Sequence, residues 1–201
     1  MNKSRLEAFS DGVLAIIITI MVLELKVPEG TSWAVMKPLI PVFSSYLLSF
    51  AFIGVYWANH HHLLHTVKRV NAKIIWANMH LLFWLSLVPF ATGWMGVNNY
   101  EKITVASYGV LLVICGISFT ILTKAISSGY KEETSLTRAL AQSGPKSIIS
   151  TLLYIGSVPI ALYIHPAISA AMYVTVAIMW IIPSKAIEKA LSEEGHHNGQ
   201  D

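Results

Sequence analysis

Ser10 and Asp11 open the first apolar run of this sequence, and Thr19 is the single polar side chain between Val13 and Leu23. Further along, His60, Asn78 and His80 interrupt two other apolar runs. A carboxylate in apolar surroundings needs hydrogen bonds or an opposite charge, so Asp11 and these three groups are candidates for one buried polar network. His60-His61-His62 with His65 suggests a metal, but consecutive helical residues point in different directions. Only His61 or His62 can share a face with His65, and no nearby carboxylate completes a site. The sequence therefore predicts no metal and no cofactor, and partly solvated histidines, with pH sensing as a secondary role. It has no nucleophile elbow, no metal-ligand pair with an accompanying acid and no Gly-rich phosphate loop, which argues against an enzyme.

The elements that must position these residues are membrane helices. Of the 201 residues, 54% are hydrophobic and 12% charged, against roughly a quarter charged in soluble domains. The net charge of +3 is spread between apolar runs rather than along a stripe, so no nucleic-acid partner is expected. Six apolar runs, at about 8–25, 38–64, 74–96, 103–124, 147–164 and 166–183, approach the ~20 residues a bilayer requires. The fold class is an all-α membrane protein of six transmembrane helices, with a six-helix transmembrane domain over 1–185 and a polar tail over 186–201. The first run lacks a cleavage site and should remain in the mature chain. His165-Pro166 divides the last two runs, Pro38, Pro41 and Pro145 suit first turns, and Pro89 and Pro159 should kink their helices. Gly109 and Gly116 should permit close packing, and Cys115 should serve only packing. Tryptophans and tyrosines suit lipid interfaces and helix contacts. No internal repeat is visible, so pore symmetry would need several copies.

Lysines and arginines set the orientation. With the N-terminus cytoplasmic, eleven basic residues fall inside and only Lys26, Lys37 and Lys102 outside, which predicts both termini in the cytoplasm. At 100° per residue, Arg5, Phe9, Gly12, Ile16, Thr19, Ile20 and Leu23 share one face of the first helix, and Asp11 points away. Asp11 lies about 9 Å beyond Arg5, and His60 about 12 Å before Lys68. Asn78 and His80 lie at a similar depth past Lys73, so Asp11 with Ser10 is expected to bond His60 and Asn78 or His80.

Arg5-Leu-Glu-Ala-Phe9-Ser10-Asp11-Gly12, followed by an isoleucine-rich helix, resembles the signature of the transmembrane protein 175 family of potassium channels. Trp57-Ala58-Asn59-His60 and Leu85-Ser86-Leu87-Val88-Pro89-Phe90 resemble its later segments. The resemblance implies a homotetramer in the cell membrane with four first helices around a pore that passes potassium ions. It implies a constriction at Ile16, selectivity from Thr19 and further lining from Ile20 and Leu23. The alternative is a secondary transporter or proton-coupled carrier using Asp11 and His60.

Overall fold

A computed structural model of the chain describes residues 2–67, 69–128 and 144–181. Its helices are α1 (Lys3–Leu23), a 3-10 segment (Trp33–Leu39), α2 (Ile40–His65), α3 (Ala72–Ser86), α4 (Val88–Val97), α5 (Lys102–Ser127), α6 (Gly144–Tyr163) and α7 (Pro166–Ile181). α3 and α4 together form one span, so the described residues make six passes, and no strand occurs among them. Five passes are long and apolar enough to cross a bilayer. α7, with 16 residues, reaches about 24 Å at the helical rise, short of a ~30 Å hydrocarbon core. The tail expected over 186–201 lies outside the described residues.

Local chemistry sets the helix ends. Asn2 caps α1 by accepting from the Arg5 amide, and Asn71 caps α3 by accepting from that of Ile74, so orphan first-turn donors are satisfied. Pro41 sits in the first turn of α2 and Pro166 opens α7, where His165 Nδ1 accepts from the Ala167 amide. The two interior prolines behave differently. Pro89 accompanies a one-residue interruption at Leu87, where α3 stops at Ser86 and α4 restarts at Val88. α6 continues through Pro159 as one helix.

Basic residues sort by the end of the bundle they occupy. Lys3, Arg5, Arg69, Lys73, Lys124 and Lys146 fall at the end where α1 starts, and Lys26, Lys37 and Lys102 at the other. Lys3 Nζ donates to the His65 carbonyl at 2.7 Å, tying the start of α1 to the end of α2. The remaining five basic positions lie outside the described residues.

α5 is the centre of the bundle, packed on α3, α4, α6 and α7, whereas α1 packs on α2, α3 and α4. Lipid gives helices little hydrophobic reason to associate, so close approach and hydrogen bonds matter more. Thr92 of α4 donates to Ser49 of α2 at 2.7 Å, and Ser49 meets the Tyr108 hydroxyl of α5 at 2.8 Å. Tyr173 of α7 donates to the Val105 carbonyl at 2.9 Å, and its hydroxyl crosses Gly109 where a Cβ would collide with it. Gly96 lets α4 lie on α2, because a Cβ there would fall 2.7 Å from Val42 Cα. Gly116 does not follow the expectation of close packing: a Cβ there meets nothing within 4 Å.

Gly96→Ala should therefore cost about 1–3 kcal/mol from forced overpacking, read as a lower unfolding midpoint in detergent. Gly116→Ala should match or exceed the wild type, since alanine is the better helix former by about 0.5–1 kcal/mol.

Candidate pore helix and its polar attachment

One side of α1 is buried through Leu6, Ser10, Leu14, Ile17 and Met21, spaced four, four, three and four residues apart as one helical face requires. Ser10 is the only polar member. Its hydroxyl donates to the Leu6 carbonyl at 2.8 Å, which leaves the oxygen to accept from Asn78 Nδ2 at 2.9 Å. Asn78 thus turns its carbonyl oxygen to His60, whose Nε2 stands 2.6 Å away. That oxygen can only accept, so Nε2 carries the proton. Ser10, Asn78 and His60 are fully buried, and they join α1 to α3 and α3 to α2.

The expected pairing of Asp11 with His60 and with Asn78 or His80 is not what forms. Asp11 stands 100° round from Ser10, off the buried face, and its Oδ1 accepts from Trp57 Nε1 at 3.0 Å. Trp57 and His60 are three residues apart on α2, so both face α1. His80 is exposed and accepts from Trp84 Nε1 along its own helix. It is two positions from Asn78 and hence on another side of α3. Arg5 and Phe9 are exposed and outside this network, and Arg5 makes no side-chain hydrogen bond or ion pair among the described residues. Trp57 was assigned no site role from the sequence, although its spacing from His60 was a usable signal.

Among the described residues, the other side of α1 is left largely uncovered. Ile16 is 58% exposed, Leu23 77% and Ile20 44%, and a Cβ on Gly12 would meet no atom within 4 Å. Thr19 is exposed too, and its hydroxyl lies 2.9 Å from the Ile16 carbonyl and 3.1 Å from that of Ala15. The hydroxyl hydrogen is spent inside the helix, so the side chain offers outward only oxygen lone pairs. At the far end of α1, the exposed Glu24 lays its carboxylate over Gly93 of α4, where a Cβ would stand 3.0 Å from Oε2. The rings of His61 and His65 meet edge to face at 4.8 Å. Among the described residues, no group of three or more histidine, cysteine or acidic side chains could hold a metal.

A family model described as "Endosomal/lysosomal potassium channel TMEM175" matches residues 5–89, from the start of α1 into α4. A protein named "Potassium channel" from Chryseobacterium sp. (strain P1-3) is 51% identical over 193 residues, covering 96% of this chain and all of that protein. The chain belongs to the TMEM175 family of potassium channels. The TMEM175 fold extends past the matched segment. The crystal structure of a lysosomal potassium-selective channel TMEM175 homolog from Chamaesiphon minutus superposes with a TM-score of 0.74 at 26% identity, covering 89% of this chain and 96% of that one. The human "Endosomal/lysosomal proton channel TMEM175" is 35% identical over 96 residues, covering 41% of this chain and 19% of that protein. The chain is a multi-pass membrane protein of a channel family, not an enzyme.

Asn78→Ala should leave Ser10 and His60 without their shared partner and cost about 1–3 kcal/mol, seen as a reduced unfolding midpoint. His80→Ala, outside the buried chain, should leave that midpoint near the wild-type value.

Proposed function

We propose that four copies of the chain assemble into a potassium-permeable cation channel in the plasma membrane, with the four α1 helices around the pore and both termini cytoplasmic. The observation that carries this reading is the uncovered face of α1. It runs from Phe9 through Gly12, Ile16, Thr19 and Ile20 to Leu23, on a helix whose opposite face is attached to α2 and α3. Copies of the chain would cover that face around an axis. The basic end of the bundle favours its placement on the cytoplasmic side.

Ion passage would be governed by apolar closure. A ring of Ile16 side chains excludes water, and Ile20 and Leu23 extend the apolar lining, so conduction requires the helices to widen or rotate together. Four Thr19 oxygens, with their hydrogens turned into the helix, replace part of a cation's hydration shell and favour the ion that sheds water more easily. Glu24 at the outer end raises the local cation concentration. Asp11 and Ser10 hold α1 in rotation and do not meet the ion.

In planar bilayers, Ile16→Ala should raise potassium conductance several-fold, and Thr19→Ala should lower the potassium-to-sodium permeability ratio. If both variants conduct like the wild type, the assignment of this face to the pore fails. A proton-coupled carrier acting through Asp11 and His60 would instead show saturable, counter-ion-dependent uptake without unitary current steps. Separate hydrogen bonds for Asp11 and His60 count against a shared proton path.

A further inference from the structure

α2, α5, α6 and α7 part from one another at the end of the bundle where α5 stops and α6 begins. They leave a cavity of about 510 Å³, within the ~300–1,000 Å³ usual for ligand sites. Phe52, Phe119, Tyr154 and Trp180 form its walls, and Gly116 opens onto it with no atom within 4 Å of a Cβ position. Several of the wall's polar groups are already partnered within the protein. Trp180 Nε1 donates to Ser150 Oγ at 2.8 Å, and Thr120, Thr123 and Thr151 donate to carbonyls of their own helices. Lys124, in the last turn of α5, is exposed and lines the cavity. Lys146, in the first turn of α6, adds a second positive charge at the same end, its ammonium on the Met179 carbonyl at 3.2 Å.

We propose that this cavity takes one acyl chain of an anionic phospholipid, with the headgroup phosphate at Lys124. An apolar chamber of this size holds water poorly, and in a membrane the abundant apolar occupant is a lipid tail. The rim supplies charge complementarity: the cavity lies at the bundle end that carries Lys3, Arg5, Arg69, Lys73, Lys124 and Lys146. Basic groups at a membrane surface draw anionic headgroups toward them. Lys124 fixes the phosphate as a point charge, and the tail then follows the gap between α2 and α5 inward past Phe119 to Phe52. None of the cavity-lining residues belongs to α1, so the site is separate from the proposed pore face.

The test uses the purified full chain, supplied with phosphatidylglycerol or phosphatidylcholine in detergent and read by native mass spectrometry for retained lipid. The wild type should retain phosphatidylglycerol several-fold over phosphatidylcholine. Lys124→Gln should abolish that preference while still retaining lipid, and Gly116→Leu, whose side chain enters the cavity, should abolish retention. Equal retention of the two lipids by the wild type overturns the proposal, as does unchanged phosphatidylglycerol retention in either variant. So does no retained lipid at all, the result expected if residues 129–143 or a second copy of the chain fill the space. Should Gly116→Leu fail to fold, the headgroup preference of wild type against Lys124→Gln decides alone.

Discussion

The hydrogen bond from Asn78 to Ser10 sets the rotation of α1, and the rest of the arrangement depends on that angle. Apolar contacts through Leu6, Leu14, Ile17 and Met21 tolerate small rotations, because one aliphatic side chain can slide over another. A buried amide whose two ends are committed to Ser10 and His60 does not. Each such bond contributes modestly, about 0.6 kcal/mol on average between membrane helices. Leaving one of its groups unpartnered costs more, about 1–3 kcal/mol. The attachment therefore acts mainly by penalising other orientations. With Ser10 turned inward, Ile16, Thr19, Ile20 and Leu23 must turn out of the subunit.

The remaining helices are held by the same economy of small residues and hydroxyls. Gly96 brings α4 onto α2, and Gly109 makes room for the Tyr173 hydroxyl, while Thr92, Ser49 and Tyr108 link three helices through adjoining hydroxyls. These contacts put α5 at the centre and leave α1 at the margin. That marginal position suits the proposed assembly, in which other copies of the chain would complete the second face of α1.

Much of this was readable from sequence where depth decides, and less where rotation decides. Rise per residue put Ser10, Asp11, His60 and Asn78 in one layer, and the described residues do bring Ser10, Asn78 and His60 into contact. Which of the neighbours Ser10 and Asp11 would meet Asn78 turned on 100° of rotation, which only the folded bundle settles. No single sequence displays that. The same rotation excluded His80 from the buried chain, whereas Trp57, three residues before His60, was a readable partner for Asp11 that depth alone does not single out. Pro89 and Pro159 look alike as letters, yet one accompanies a break and the other sits in an unbroken helix. Gly109 and Gly116 likewise differ only in what stands opposite them, a tyrosine hydroxyl or open space.

The interruption at Leu87 gives α1 two different attachments on what is nominally one neighbouring span. Its inner portion is bound to α3 through Ser10 and Asn78, and its outer end rests on α4 through Glu24 and Gly93. In the proposed assembly, any change of angle between α3 and α4 would therefore act on the two ends of α1 unequally. Copies arranged around the proposed axis would then part more at the rim near Leu23 than at the rim near Ser10.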